Sequence, residues 1–455
     1  MNRRRPFLLL AAAALACAAC GGGGTSSSGG SQKALSSSDR AGKTLTIYGF
    51  GTGDDVAVNR AKVAKAALAP AKVKNPEGAF APEAFLTRVA AGDVPDVIYV
   101  DRQQIATLAA KGALDPIDEC VKDQSIDTSQ YNKAALDEVT YQGKLYALPE
   151  FTNQRTIIVN DKAARDAGLD PGSISTTNWN ELLRQAKAMT RMSGGQLSRI
   201  GFDPKIPEFF IMWTHANGAE LVNSDGTKVD FTNPKVVQAL EYTKSLVDAQ
   251  GGWNRFKAFR DTWDFFGKHN QVAADQIGAW PMESWYYNVI AQNSPDAKVT
   301  AVPFTDRKGK PFTFISGSGW AIPHGAKNPA LACTWMKEMT SVKAWLAAAK
   351  ARAAATAQKG QVFTGLYTAN SVADRKILDD VYQPQSPAYD KAVKLLVDVQ
   401  RNAIAFPPSP AGAKIQDALT NAINKVLVGE ASPRAALQQA QAAAQRAIDQ
   451  ATTGS

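Results

Sequence analysis

Histidine is scarce in this 455-residue chain. The three that occur, His215, His269 and His324, lie far apart in sequence. That spacing excludes a histidine-rich metal site, whose ligands usually sit a few residues from one another. Long apolar runs are scarce too. One run, residues 7–19, opens the chain, and no second run approaches the ~20 residues that span a bilayer, which excludes a polytopic membrane protein. There is no Gly-x-Ser-x-Gly nucleophile elbow. The Gly51-Thr52-Gly53 turn lacks the Gly-Lys-Ser/Thr ending of a phosphate loop. Although the net charge is +9, no Lys/Arg block is dense enough for a nucleic-acid groove.

What is present describes a soluble body behind a leader. Hydrophobic residues make up 45% and charged residues 20%, which excludes wholesale disorder. The length is about three times the ~150 residues of a common domain, so two lobes with separate cores are expected. Arg3, Arg4 and Arg5 precede the apolar run, as in a secretory signal peptide. The small-residue segment Leu15-Ala16-Cys17-Ala18-Ala19-Cys20 resembles a bacterial lipobox. The resemblance implies that Cys20 is lipidated and becomes the first mature residue, with Cys17 as the alternative and plain secretion as the simpler reading. Residues 21–38 are rich in Gly and Ser, so a flexible tether is expected over 21–42. Mild positive charge along the rest suits a surface near anionic lipid headgroups. Export permits a disulfide between Cys120 and Cys333, but two buried thiols fit the sequence equally well.

Strands and helices alternate along the body. Residues 43–50 (KTLTIYGF) read as a first strand that opens into a Gly-rich loop with Asp54 and Asp55. Helical spacing follows over 56–68 and again over 82–91. PDVIYV (residues 95–100) reads as a buried strand with Asp101 and Arg102 at its carboxyl end. This pattern predicts a doubly wound sheet, in which ligands bind outside the carboxyl ends of the strands. Residues 141–149 suggest a hairpin into a strand that stops at Pro149. RTIIVN (155–160) is a further strand, and Asn178, with Glu181 three residues on, caps a helix over 179–190.

The order Tyr-x-Gly-Lys-Leu-Tyr-Ala-Leu-Pro (141–149), Val-Asn (159–160), Ala-Gly-Leu-Asp-Pro (167–171) and Thr-x-Trp-x-Glu-Leu-Leu (177–183) resembles the extracellular solute-binding proteins, family 1, of ABC importers. Gly278-Ala279-Trp280, Ser316-Gly317-Ser318-Gly319-Trp320-Ala321-Ile322-Pro323 and residues 413–436 extend the similarity over most of the chain. It implies an α/β, two-lobe, type II periplasmic-binding-protein fold, each lobe a doubly wound sheet flanked by helices, joined by a hinge. The expected divisions are a leader over 1–20, a tether over 21–42, lobe 1 over 43–149 and 318–375, and lobe 2 over 150–317 and 376–455. It also implies a monomeric, lipid-anchored exported protein. Such a protein takes up a small polar solute, most often a carbohydrate, and hands it to a membrane permease without catalysis, cofactor or metal.

Sugar recognition needs aromatic faces for the C–H surfaces of the ring and charged or amide groups for its hydroxyls. Trp253, Trp263, Trp280 and Trp285 stand in otherwise polar stretches. Trp280 matches the family position that stacks on ligand, at what reads as a strand end before Pro281. Asp101 and Arg102 resemble the pair that binds hydroxyls in maltose-type members. Asp54, Asn153, Glu208, Phe209, Trp285 and Ser318 complete the expected binding set. The alternatives are a ferric-ion binder using Tyr286 and Tyr287, a sensory lipoprotein of the same fold, and an exported hydrolase with paired carboxylates.

Overall fold

The computed structural model describes residues 32–453; the leader, Cys17, Cys20 and the first part of the expected tether lie outside the described residues. Two five-stranded sheets organise the body. The first contains β1 (Thr44–Tyr48), β2 (Lys72–Lys74) and β3 (Val97–Asp101), all parallel. A small hairpin, β4 (Thr140–Tyr141) and β5 (Lys144–Leu145), then leads into β6 (Ala147–Pro149). The second sheet contains β7 (Arg155–Asn160), β8 (Arg191–Ser193), β9 (Gln196–Phe202), β10 (Ile277–Glu283) and β11 (Val299–Val302), in the order β11-β7-β10-β9-β8. Next, β12 (Phe304–Thr305) and β13 (Pro311–Phe314) form a third sheet with β15 (Ala403–Ile404). Between these, β14 (Ser318–Ala321) returns to the first sheet, whose order is β2-β1-β3-β14-β6.

Strand patterning explains the layers. All six residues of β7 are buried, as expected of a strand with neighbours on both edges and helices on both faces. In β3, Ile98 and Val100 join Phe85 and Ile105 on one face, while Val97 joins Leu45 and Ile47 on the other. Each lobe therefore has its own core around a covered sheet, which is the expected two-lobe α/β architecture. Asn178 caps the helix Trp179–Met189 by accepting from the N–H groups of Asn180 and Glu181.

The chain passes between the sheets at 150–154 and at 315–317. The two crossing segments pair through the Asn153–Ser316 bridge. The helix Ser371–Asp380 packs its Ala373 and Ile377 with Trp345 of the helix Val342–Gln358. The helix Pro387–Val399 lies against β11 in the second lobe. The division expected at 375 thus falls inside a helix, and the third passage comes after Asp380.

One further detail differs from expectation. Coil was expected through Ser38, yet Ser37–Arg40 form a short helix capped by Ser36, and Leu35 packs on the first-lobe core. The Gln32 N–H donates to Asp123, and Gln124 donates to the Gln32 carbonyl, so the chain is docked on lobe 1 from Gln32 onward. Of the two readings of the cysteines, the disulfide is the one present: Cys120 joins Cys333 and links the helices Asp118–Asp123 and Pro329–Met339. Among the described residues no helix is long and apolar enough to cross a membrane.

Candidate functional site: the cavity between the lobes

A cavity of about 400 Å³ lies between the two lobes, beside the crossing segment 150–153. The first lobe contributes the loop after β1, the helix Asp55–Leu68, Tyr99 of β3 and the helix Val342–Gln358. The second lobe contributes Ser284, Trp285 and Asn288.

Arg60 belongs to the face of the helix Asp55–Leu68 that also buries Val56, Ala57, Ala61, Ala64 and Leu68. Its guanidinium lies 4.0 Å from the ring centroid of Trp345 and donates to Glu150 Oε1. Tyr99 Oη donates to Glu150 Oε2. Glu150 itself is fully buried. Its N–H donates to the Ser318 carbonyl at 2.9 Å, and its carbonyl accepts from Ala369 at 2.8 Å. Burial pushes Arg60 down to about 10, which leaves it cationic at neutral pH. Burial also raises the Tyr99 phenol, which keeps it a neutral donor.

The second charged pair joins Asp55 and Arg352. Arg352 Nε reaches both carboxylate oxygens, at 2.8 and 2.9 Å, and its Nη2 also donates to Oδ1. That pairing holds Asp55 below its ordinary range. Both guanidinium groups of the wall are therefore neutralised. Asp54 caps the helix through Ala57 N–H at 2.7 Å and is otherwise exposed.

Aromatic surface surrounds these groups. Trp285 is half-buried and held by its Nε1, which donates to Glu283 Oε2 at 2.9 Å. Glu283 in turn is paired with Arg155. The segment 364–367 closes another side. Tyr367 Oη donates to the Thr364 carbonyl at 2.8 Å, and Gly365 between them has φ +89°. A Cβ on Gly365 would sit 2.8 Å from the Tyr367 hydroxyl oxygen, so glycine is required by both backbone and space.

Of the expected binding residues, the cavity gathers Asp54, Asn153 and Trp285. The Asn153 side-chain amide has no hydrogen-bond partner among the described residues and stands on the crossing itself. Trp280 is elsewhere. Residue 280 is not at a strand end but in the middle of β10, and its side chain is fully buried against Trp263, Phe265 and Tyr286. Pro281 is tolerated there because the pairing of β10 with β9 stops at Ala279. Arg102 is also fully buried. It is paired with Glu138 and donates to the Phe151 carbonyl, so it braces the crossing rather than facing a ligand. Phe209 is buried beneath the Arg155 and Lys205 cations. Asp101 and Glu208 line a smaller hollow of about 300 Å³ with Arg155, and Glu208 is paired with Arg260 and Lys205. Ser318 sits in β14 opposite Asp101, and its carbonyl serves Glu150 and Arg102.

The ferric-ion alternative does not survive the geometry. Tyr286 and Tyr287 are buried in the lobe core. Tyr286 Oη donates to the Phe265 carbonyl, and the Tyr287 hydroxyl is bonded to Thr156 Oγ1. Burial raises both phenols and so disfavours the phenolate a ferric ion needs. Among the described residues no three His, Cys, Asp or Glu are placed to hold a metal ion.

Sequence reasoning missed Arg60, Tyr99, Glu150, Asn288, Trp345 and Arg352. Arg60 carried a readable signal, since a cation inside the apolar stripe of a helix must have a buried partner.

A two-lobe α/β body with an aromatic and polar cavity at its crossing strands defines a protein that encloses a small solute. The family profile described as bacterial extracellular solute-binding protein matches residues 71–344, and the chain belongs to that family. Its relatives include the arabinooligosaccharide-binding protein of Bacillus subtilis, at 22% identity over 66% of this chain and 70% of that protein. The diacetylchitobiose-binding protein of Streptomyces coelicolor is 24% identical over 68% of this chain and 72% of its own length. A structure solved with mannotriose bound superposes with a TM-score of 0.71 at 23% identity, covering 88% of this chain and 100% of that one. A substrate-binding protein from Listeria monocytogenes in complex with cycloalternan gives 0.70 at 20% identity, covering 90% and 99%. These structural likenesses establish the shared fold.

Proposed function

We propose that this chain is the substrate-binding lipoprotein of an ABC importer and that it captures a neutral saccharide in the cavity between its lobes. One observation carries the reading. The wall combines the partly exposed aromatic side chains of Trp285 and Tyr99 with charged groups that are already matched, Arg60 with Glu150 and Arg352 with Asp55. A neutral polyol satisfies such a wall through hydroxyl bonds. An anion would have to compete for cations already paired and face the exposed Asp54. The named relatives that bind arabinooligosaccharide and diacetylchitobiose support the same class. Contacts from both lobes favour the closed arrangement when ligand is present, and that arrangement is what a permease recognises. Anchoring through Cys20 at the outer face of the membrane, a monomeric state and the absence of catalysis belong to this reading. Asp54, Asn153, Trp285 and Asn288 are its binding residues, with the Arg60–Glu150 pair holding the wall behind them.

The test is a thermal-shift panel on the chain from Gln32. The panel holds arabino-, manno-, malto- and N-acetylchitooligosaccharides beside sugar acids and glycerol phosphates. A ligand at one hundred times its Kd adds about 2.7 kcal/mol of stability, which a melting curve resolves. A rise in Tm with a neutral saccharide class is the expected result. Stabilisation by the anionic solutes alone would overturn the reading.

A further inference from the structure

The parallel strands of lobe 1 start at the end of the lobe that lies away from the cavity. The cavity takes the loop after β1 and the first turns of the helix Asp55–Leu68. From Lys43, just before β1, to Phe50 in the cavity wall is about 20 Å of extended chain. Residues 32–43 are laid along the far end. Gln124 Nε2 donates to the Gln32 carbonyl and also to the Ala330 carbonyl at 3.1 Å, and Arg40 donates to the Ala67 carbonyl. Basic side chains gather where this segment enters the sheet. The Lys72 N–H donates to the Lys43 carbonyl at 2.9 Å, which sets these two lysines side by side at the starts of β1 and β2. Lys74 follows on β2, the edge strand of the sheet. Asn328 Nδ2 donates to the Thr44 carbonyl at 3.2 Å, which brings in Lys327. Lys65 stands in the last turn of the helix Asp55–Leu68 and has Glu77 for an electrostatic neighbour. All five lysines are exposed, and among the described residues none is in an ion pair. Most acids of this end are engaged elsewhere. Asp96 is buried and accepts from Thr46 and Asn328, Asp39 is bonded to Ser36, Asp93 is paired with Arg88, and Asp115 is bonded to His324. Asp118, Glu119 and Asp123 lie on the Cys120 helix. Lysine on an edge strand also keeps it from pairing with another chain, but that role accounts for Lys72 and Lys74 alone.

From this arrangement we infer that the face formed by Lys43, Lys65, Lys72, Lys74 and Lys327 rests on an anionic phospholipid surface and holds lobe 1 with its cavity turned away from that surface. Unmatched cations on one face repel one another in solution, and a layer of anionic headgroups neutralises them together. The inference rests on the membrane-anchored reading above and adds an orientation to it.

Cosedimentation with vesicles tests it, using the chain from Gln32, which carries no lipid. The vesicles are phosphatidylcholine alone or an equimolar mixture of phosphatidylcholine and phosphatidylglycerol. The wild type should bind the anionic vesicles, leave the neutral ones, and bind less as added salt shortens the screening length. The triple variant Lys43→Glu, Lys72→Glu, Lys327→Glu should lower the partition coefficient more than about tenfold, since each lysine near such a surface contributes about fivefold. A control of the same net charge, Lys394→Glu, Lys414→Glu, Lys425→Glu, changes exposed lysines of the second lobe and should bind nearly as the wild type does. Both variants should melt with the wild type, because every changed side chain is exposed. Absence of binding to the anionic vesicles, equal binding to the neutral ones, or an equal loss in the two variants would overturn the inference. Those outcomes leave the Cys20 anchor and the saccharide reading standing, because the assay contains neither a lipidated chain nor a sugar.

Discussion

Arg60 and Glu150 meet where the first lobe passes into the crossing, both withdrawn from water. A buried pair of this kind adds little net stability over an apolar substitute, but removing one partner strands the other charge. Its value lies in placing Tyr99, Trp345 and the crossing backbone around one carboxylate. The two tryptophans of the 280s show how a strand and the helix after it divide such labour. Trp280 fills the lobe core, whereas Trp285 begins the next helix at the cavity edge. Trp280→Ala should cost about 3–5 kcal/mol of stability, as large-to-small core changes do, and leave the affinity of the folded protein unchanged. Trp285→Ala should cost less stability than Trp280→Ala, because its ring is only half-buried, and weaken saccharide binding at least about tenfold, or about 1.4 kcal/mol. Urea unfolding and calorimetry on both variants check the pair. Loss of binding by a folded Trp280→Ala protein would overturn the assignment. Sequence reasoning favoured Trp280 because it matches the family position that stacks on ligand, at what reads as the end of a strand. Which strand neighbour stops at Ala279 is a tertiary fact that local pattern does not carry.

At the level of elements, strands and helices with strong periodicity were readable: β7, the capped helix Trp179–Met189 and the stop at Pro149 all stand close to where the pattern puts them. The stretch 360–410 was not readable to the same degree. Its partners are distant in sequence, and its role in closing the cavity depends on packing. Asp374 shows how that stretch is secured. It lies in the first turn of the helix Ser371–Asp380, accepts from Thr368 N–H at 2.8 Å and from Gln400 Nε2 at 2.8 Å, and so fixes the chain just after the cavity wall 364–367. Burial pushes its carboxyl up to about 7 in spite of these bonds. A raised folded-state value means the folded chain keeps a proton that the unfolded chain releases. The stabilisation is complete below about pH 4, the ordinary value for an aspartate, and is lost as pH rises through 7. Asp374→Asn should therefore remove part of the decline in stability between pH 4.5 and pH 7.5. The difference between the two proteins should change by on the order of 1–3 kcal/mol across that window. Urea midpoints at both pH values measure it, and parallel curves for the two proteins would show that Asp374 does not hold the proton.

For the whole molecule, the disulfide encloses nearly all of one excursion of the chain. Cys120 and Cys333 both belong to the first-lobe core, yet 213 residues separate them, and between them run both early crossings and every strand of the second sheet. The bond therefore ties the exit from lobe 1 to the return into it. The segment docked from Gln32 lies on the same helix as Cys120, through Asp123 and Gln124 at its carboxyl end, so this segment and the cross-link share one face of that lobe. Closing a loop this long restricts the unfolded chain far more than the folded one, with a typical gain of about 2–4 kcal/mol. Replacing both cysteines by alanine should lower stability by about that amount. Neither cysteine lines the cavity, so saccharide affinity at a temperature where both proteins are folded should be unchanged. Treating the wild type with a reductant should reproduce the loss of stability, and the same treatment should leave the double variant where it was. A double variant as stable as the wild type would mean that the bond does not restrain the unfolded chain. A double variant that is folded but binds saccharide more weakly would mean that the first-lobe core controls the placement of Arg60 and Tyr99 from a distance.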